Sequence, residues 1–364
     1  MKKLSVSIVG DQTLPNVLFL KEKGPADLYL FVTTKKMEEL NKTNHIIAGA
    51  GIEKEKVRKL IVEEDSIDKI QQALDKFMAE LDDEENYIAY INITSGTKIM
   101  SIAVYEFFKA RGKVEIFYMP VGKNIYKQLF PFTRHPEKEL TYRINFHDYL
   151  ASCGIKVFET KKPAFPRKIA FGLLKTYMLG AFTSALAQQL KDLRNRKKTS
   201  CRLIGGLSKI LKEAGWPNHG EFLSRKEIEY LSGGWFEELL YYLFEKRIKR
   251  IDQLALNIKI GKERLVNEFD LMFVYENQLY VFEAKTSLKN LNVKDVIYKL
   301  AALKRNFGVT ANAYIVTLEK SINRFHLLRA DMFGIKIWNR DYFENLSKLE
   351  KGINEILKPK DEVL

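Results

Sequence analysis

The chain has 364 residues, more than one hydrophobic core usually holds, so two domains are expected. Hydrophobic residues make up 46% of the sequence, a share that argues against a disordered chain. Lysine and arginine number 60 against 46 aspartates and glutamates, and the net charge of +14 favours polyanionic partners, nucleic acid first.

The cysteines and the apolar runs limit the cofactor and the location. Cys153 and Cys201 belong to no CxxC or Cys/His cluster, so we do not expect zinc. No secretory signal is visible, so both thiols are expected to stay reduced. No apolar run approaches the roughly 18 residues of a membrane span. We therefore expect a cytoplasmic protein without a membrane partner.

The first half of the chain alternates strand-like and helix-like segments. Strand-like runs occupy residues 4–9, 27–33, 57–62, 87–93 and 114–119. A helix is predicted after Ser66, a good N-cap that apolar residues follow at helical spacing, and another is predicted to open at Gly96. Strands that alternate with helices imply right-handed crossovers and a mostly parallel sheet. The sequence therefore predicts a Rossmann-like α/β domain over residues 1–150.

Polar loops follow two of these predicted strands, at the sheet edge where doubly wound folds bind ligands. The second loop also opens a helix, whose free backbone N–H groups and partial positive charge would complement a phosphate. Its residue order is not that of a Walker loop, and a capped helix start without a ligand is the alternative. The candidate ligand-binding residues are Gly10, Asp11, Gln12 and Thr13 in the first loop (the Gly10 loop), and Asn92, Thr94, Ser95, Gly96, Thr97 and Lys98 in the second (the Gly96 loop).

The middle of the chain carries fewer signals. Residues 134–137 read as a polar loop, and Pro163 and Pro166 predict a junction between about 150 and 168. One helix is predicted over residues 170–190. A basic cluster at 194–198 follows, and it is either a phosphate contact or a solvated loop. We expect residues 151–225 to form a helical linker region.

A predicted hairpin at residues 267–285 brings several charges together. Two strands are joined by a polar turn around residues 276–278. Because side chains alternate faces along a strand, Glu283 and Lys285 share a face, and a tight turn would set Asp270 opposite one of them. Facing carboxylates repel each other, and magnesium or manganese, which carboxylate oxygens suit, would offset that repulsion. A solvated hairpin face with unrelated charges is the alternative.

The spacing of these residues resembles the PD-(D/E)XK nuclease motif, as Asp270 followed by Glu283 and Lys285. That superfamily also places an acidic residue on a helix before the hairpin, and Glu237 matches this position. The resemblance implies a restriction-endonuclease-like α/β domain over residues 226–364. Asp270, Glu283 and Glu237 would hold the metal, and Lys285 would orient the attacking water and stabilise the charged transition state.

Two acidic residues near this motif have open roles. Glu238 is the immediate neighbour of Glu237, and either side chain could point into the site. Glu268 is either a further metal ligand or an ordinary exposed charge. A helix over residues 293–307, then strands over 311–317 and 335–338, fit the order of elements in a PD-(D/E)XK core.

The two polar loops resemble those of the CRISPR-associated Rossmann fold, the CARF domain. A CARF domain followed by a PD-(D/E)XK domain is similar to the ancillary nucleases of type III CRISPR systems. The resemblance implies a homodimer that binds a cyclic oligoadenylate, foremost cyclic tetra-adenylate, across its two-fold axis. It also implies an endonuclease that this ligand activates in antiviral defence. Its substrate would be single-stranded RNA or DNA, or duplex DNA that it nicks.

Two other functions fit parts of the sequence. A ligand-sensing transcriptional regulator that grips DNA without cleaving it would explain the basic charge equally well. A nucleotide-binding metabolic enzyme would explain the first domain, but it would leave the C-terminal carboxylates without a role.

Overall fold

The computed structural model describes residues 1–81, 87–194, 198–201, 204–217, 222–248, 253–262, 265–288, 292–308 and 310–357. Most of the basic cluster predicted at 194–198 lies outside these residues. Within them, no helix has the length and apolar character needed to cross a membrane.

The first domain is built on a seven-stranded sheet whose central strands are parallel. Its order is β3-β2-β1-β4-β5-β6-β7, in which β1 to β5 are parallel and β6 and β7 continue the sheet as antiparallel strands. The strands are β1 (Lys2–Ile8), β2 (Leu28–Thr33), β3 (Val57–Ile61), β4 (Tyr87–Asn92), β5 (Val114–Tyr118), β6 (Ile125–Phe130) and β7 (Glu137–Glu139). The predicted Rossmann-like sheet is confirmed.

The loop predicted at 134–137 is partly wrong, because Glu137 begins β7. This strand reads Glu-Lys-Glu and is exposed throughout. Its backbone pairing with β6 at the sheet edge, not an apolar pattern, makes it a strand.

Helices cover both faces of this sheet. They are α1 (Leu14–Lys23), α2 (Lys35–Glu39), α3 (Lys42–Ala50), α4 (Ile67–Ala79), α5 (Lys98–Lys109) and α6 (Phe146–Ser152). Ser66 caps α4 as predicted, since its side chain accepts from the Lys69 N–H at 3.4 Å. Helix α5 begins two residues later than predicted. Thr97 is its N-cap, and Gly96 lies before it with φ +83°, outside the helical region.

The second domain contains a six-stranded mixed sheet in the order β15-β14-β13-β12-β11-β8. Its strands are β8 (Lys156–Lys161), β11 (Leu254–Lys262), β12 (Leu265–Tyr275), β13 (Gln278–Lys285), β14 (Asn312–Thr317) and β15 (Ile335–Trp338). Strands β9 (Lys198–Ser200) and β10 (Phe222–Ser224) form a separate antiparallel pair. Strand β8 comes from the segment predicted to be a helical linker, so this segment also completes the second sheet.

The helices of the second half include α7 (Arg167–Met178), α8 (Ser184–Asp192), α9 (Leu207–Glu213), α10 (Arg225–Glu229), α11 (Trp235–Glu245), α12 (Val293–Asn306), α13 (Arg324–Met332), α14 (Arg340–Glu344) and α15 (Leu346–Leu357). The single helix predicted over 170–190 is wrong. Gly180 has φ +80°, a left-handed conformation that ends a helix, and Thr183 then caps α8.

The two domains share one apolar core. Phe117 and Tyr149 of the first domain belong to the same buried cluster as Ile258, Met272 and Ile297 of the second. The opposite face of the second sheet packs against α11 in a separate core. Helices α11 and α12 therefore contact the two faces of the strands that carry the predicted catalytic residues.

The turn of the β12–β13 hairpin is bonded to the first domain. The Arg143 guanidinium lies 2.5 Å from the Glu276 carboxylate, and the Asn124 amide donates to the same carboxylate at 2.7 Å. The Asn277 side chain accepts from the Ile144 N–H at 2.8 Å. The turn end of the hairpin is therefore bonded to the first domain, and the opposite end carries Asp270 and Glu283.

Candidate active site and ligand-binding loops

The hairpin register brings Asp270 and Glu283 together. Glu276 and Asn277 form a two-residue turn, and both have positive φ, 48° and 58°, as the hairpin turns that match strand twist require. Leu271 pairs with Phe282, so the next residues on the two strands are Asp270 and Glu283. Both carboxylates are almost completely buried, with 8% and 7% of their residues' surfaces exposed.

The ammonium group of Lys285 contacts both carboxylates. Its Nζ lies 2.9 Å from Oδ2 of Asp270 and 3.0 Å from Oε1 of Glu283. The Ala284 N–H also donates to Oδ2 of Asp270 at 2.7 Å. The predicted residues of the hairpin thus form one cluster, in which the ammonium group of Lys285 bridges the two carboxylates.

This cluster holds more negative charge than its lysine neutralises. The pKa of Asp270 is raised to about 7, first by burial and then by the charges of Glu237 and Glu283, against the opposing effect of Lys285. Burial alone would lower the pKa of Lys285, but Asp270 and Glu283 hold it above its usual value. A carboxyl group with so high a pKa marks a site where additional positive charge would be stabilising.

The structure separates the two neighbouring glutamates of α11. Glu237 faces the hairpin, where burial raises its pKa and the charge of Lys285 lowers it. Glu238 points elsewhere: it is buried, and it accepts hydrogen bonds from the Ala164 and Phe165 N–H groups. Glu238 therefore anchors the start of the helical segment, and Glu237 is the member of the pair that lies near Asp270.

Three further residues at this site carried no signal in the sequence. Asn257 of β11, an irregular position with φ +46°, lies beside Glu237 and lowers the pKa of its carboxyl. Lys299 of α12 lies 3.5 Å from Oε2 of Glu283. Lys161 of β8 lies 3.7 Å from Glu268, a half-exposed residue that is thus ion-paired at the rim of the site. All three come from elements outside the hairpin, and the packing of β8, β11 and α12 around it brings them here.

A divalent cation fits the donor set of Asp270 and Glu283. Their carboxylate oxygens already share one cationic nitrogen, and carboxylate oxygen is the ligand that Mg²⁺ and Mn²⁺ prefer. In the part of the chain that the structure describes, no group of three or more His, Cys, Asp and Glu side chains is arranged to hold a metal. Asp270 and Glu283 are therefore the predicted ligands that the structure brings into contact with one ammonium group, and Glu237, whose charge raises the pKa of Asp270, stays a predicted ligand.

Internal hydrogen bonds hold the Gly96 loop in place. Asn92 is fully buried, and its amide donates to Asn16 of α1 at 2.7 Å while its oxygen accepts from the Thr94 N–H at 3.1 Å. Thr97 caps α5 by accepting from the Met100 N–H at 3.1 Å, and it donates to the Glu64 carbonyl. Asn92, Thr94 and Thr97 therefore shape the loop, in line with the capping alternative for its hydroxyl groups.

The Gly10 and Gly96 loops pack directly against each other. A Cβ on Gly10 would lie 2.6 Å from the backbone nitrogen of Gly96, and the Ser95 hydroxyl donates to the Gln12 carbonyl at 3.2 Å. Thr13 is buried and donates to the Ser152 carbonyl. The groups of the two loops that remain exposed are Asp11, Gly96 and Lys98. Gln12, Thr94 and Thr97 are partly exposed.

A cavity of about 410 Å³ lies between the two domains beside the Gly10 loop. Asp11, Gln12 and Thr13 line it from the first domain, and Lys262 and Arg305 line it from the second. The residues of the Gly96 loop, all of them described, are absent from its wall. The second domain thus places basic residues beside the Gly10 loop, at the predicted ligand-binding edge of the first domain.

The sequence matches two family models, and no curated protein sequence matches it. Residues 4–149 match the Card1 CARF domain, and residues 224–355 match the Card1-like endonuclease domain.

Solved structures with the same fold cover nearly the whole chain. Can2 from Sulfobacillus thermosulfidooxidans, solved in complex with cyclic tetra-adenylate, is 20% identical over 98% of this chain and 99% of its own, with a TM-score of 0.77. Protein VC1899 from Vibrio cholerae is 18% identical over 98% of each chain, with a TM-score of 0.76. A type III CRISPR defence DNA nuclease activated by cyclic oligoadenylate is 16% identical over 89% of this chain and 47% of its own, with a TM-score of 0.54. With its Card1 CARF domain followed by a Card1-like endonuclease domain, the chain belongs to the CARF-domain nucleases of CRISPR systems.

Proposed function

We propose that this protein is a divalent-metal-dependent endonuclease that a cyclic oligoadenylate activates. The cluster of Asp270, Glu283 and Lys285, with Glu237 beside it, is the observation that carries the proposal. We further propose the division into a CARF domain at 1–150, a linking region at 151–225 that also supplies β8, and a PD-(D/E)XK nuclease domain at 226–364.

The residues of the cluster would have distinct roles in phosphodiester hydrolysis. Asp270 and Glu283 would hold a Mg²⁺ or Mn²⁺ ion, which when bound lowers the pKa of a water and neutralises charge on the phosphate. Lys285 would donate to the attacking water and to the negatively charged phosphate oxygens of the transition state. Glu237 would complete the metal site from the α11 side, through a second metal ion or through a water.

Substitutions at the cluster test the catalytic assignment. With Mn²⁺ and ligand present, we expect Glu283→Ala and Lys285→Ala to abolish cleavage while both variants stay folded. Glu159→Ala is the matched control, because Glu159 is an exposed carboxylate of the same sheet that pairs with Lys259 at 2.6 Å. Full cleavage by Glu283→Ala would refute the assignment. If the wild type bound DNA but produced no cleavage fragments, the result would support the alternative of a ligand-sensing transcriptional regulator.

Cyclic tetra-adenylate is the proposed activator, and a homodimer is the proposed assembly. The support is the Card1 CARF match, the fold shared with Can2, whose structure contains this ligand, and the basic cavity beside the Gly10 loop. A ring with two-fold symmetry can contact two identical subunits at once. Calorimetry with cyclic tri-, tetra- and hexa-adenylate, with one ring expected per two chains, tests both the ring size and the assembly.

The activating ligand must prefer the active state by a definite free energy. Moving the enzyme from about 1% to 99% active requires roughly 5.5 kcal/mol of differential affinity. The bonds from Arg143 and Asn124 to the hairpin turn connect the first domain directly to the strands that carry Asp270 and Glu283.

The proposed nucleic-acid substrate is tested by comparing cleavage of single-stranded RNA, single-stranded DNA and supercoiled plasmid.

A further inference from the structure

Helix α12 places a second lysine on the carboxylate of Glu283. Nζ of Lys299 lies 3.5 Å from Oε2 of Glu283 and donates to the Glu268 carbonyl at 3.0 Å. Lys285 contacts the other oxygen, Oε1, at 3.0 Å. Two ammonium groups from two different elements thus hold the two oxygens of one buried carboxylate.

Lys299 is itself held in place. Its helix is packed against the sheet through Val293, Ile297 and Leu300, which are all buried. Its ammonium group also lies 5.2 Å from the centre of the Phe269 ring, within the range of a cation–π interaction. A cation anchored by a carbonyl, a ring and a packed helix is a stable partner for Glu283, whereas Lys285 is bonded to two acids at once.

Other lysines of α12 do not share this arrangement. Lys304 donates to the Phe333 and Gly334 carbonyls at 3.3 and 3.1 Å, and Lys294 is exposed beside the Tyr298 ring. Among the lysines described on this helix, Lys299 is therefore the one that contacts the acidic cluster.

We propose that Lys299 is a positioning residue of the nuclease site, an inference that rests on the proposed function. By holding Oε2 of Glu283, it fixes the rotation of the carboxylate so that Oε1 faces Lys285, whose ammonium group also contacts Asp270. Lys285 is then free to leave the two acids and contact the substrate phosphate when a metal takes its place. Residues that orient a metal ligand commonly change metal affinity or activity by about 10-fold to 100-fold.

If Lys299 did not position Glu283, its removal would have the opposite effect on metal binding. If Lys299 were only an additional positive charge near the site, its removal would strengthen the binding of a cation. If it positions Glu283, its removal weakens that binding, because the carboxylate loses its fixed orientation. Mn²⁺ binding in the absence of nucleic acid therefore separates the two roles without relying on activity.

The test compares Lys299→Met, Lys299→Gln and Lys299→Arg with Lys294→Met as the control. We expect Lys299→Met and Lys299→Gln to bind Mn²⁺ about 10-fold more weakly by calorimetry and to lower kcat with little change in KM. Lys299→Arg should recover most of both, and Lys294→Met should match the wild type. Mn²⁺ binding by Lys299→Met and Lys299→Gln that is unchanged or tighter than in the wild type would overturn the inference.

The outcomes also separate this inference from the proposed function. A wild-type protein that neither binds Mn²⁺ nor cleaves would defeat both. A wild-type protein that cleaves, with Glu283→Ala inactive and Lys299→Met fully active, would overturn only the role of Lys299. Lys299 is partly exposed, so loss of the fold is not expected, and thermal unfolding of each variant checks this.

Discussion

Replacing Asp270 with asparagine should stabilise the metal-free protein at alkaline pH. Asp270 is buried beside Glu237 and Glu283, and its pKa is raised to about 7 from an ordinary value of 3.8. A carboxyl whose pKa is higher in the folded state binds protons more tightly there. Folding stability therefore falls as the pH rises from about 4 to about 7, and the full cost of the charge is present above pH 7.

The structure gives an upper limit for this effect. The pKa of Asp270 in the folded protein is about three pH units above its ordinary value. At 1.36 kcal/mol per unit, this difference corresponds to about 4 kcal/mol of folding free energy. Two effects reduce the gain below this limit. The repulsion among Asp270, Glu237 and Glu283 is shared by all three carboxylates, and the neutral asparagine side chain would be a weaker partner for Lys285. We therefore expect a net gain of about 2 kcal/mol at pH 8. Asparagine retains an oxygen that can accept from the Ala284 N–H, so the hairpin itself should be preserved.

Denaturant unfolding at pH 4, 6 and 8 in the presence of a chelator measures this gain. The stabilisation by Asp270→Asn should be largest at pH 8 and disappear near pH 4. Asp75→Asn is the control, because Asp75 is an exposed partner of Arg111, and a surface pair of this kind contributes about 1 kcal/mol or less. Destabilisation by Asp270→Asn at pH 8, or a gain that does not vary with pH, would refute the reasoning.

Three more predictions address other parts of the molecule. Glu238→Ala removes the charged acceptor of the Ala164 and Phe165 N–H groups, so unfolding experiments should show a loss of about 1–3 kcal/mol. Adding Mn²⁺ should raise the Tm of the wild type by mass action but not that of Glu283→Ala; an equal rise in both would place the metal elsewhere. Lys98→Ala should weaken the binding of cyclic tetra-adenylate in calorimetry and leave Mn²⁺ binding unchanged, whereas unaltered ligand binding would remove Lys98 from the ligand site.

The sequence was most informative where local patterns coincide with the final structure. The hairpin could be predicted because alternation, a two-residue turn and the paired charges all occur within residues 267–285. The parallel part of the first sheet could be predicted because β1, β2 and β4 are short apolar runs, each followed by a helix. The end of helix α7 was missed because Gly180 lies inside a continuous apolar stretch.

Other features depend on packing that no local pattern records. Strand β8 has mostly exposed residues, and Asn257 interrupts the regularity of β11, so neither reads as a strand of the nuclease sheet. Helix α11 is buried on nearly all sides, so its sequence has no polar face that would tell Glu237 from Glu238. The contact between Lys299 and Glu283 joins elements that meet only after the sheet has formed.

The most direct test of the account is an anomalous-scattering map from crystals of this protein grown with Mn²⁺. The account predicts one manganese ion bonded to carboxylate oxygens of both Asp270 and Glu283, with the Lys285 ammonium displaced from between them. A map in which Lys285 still bridges the two acids, with manganese absent from the pair, would contradict it.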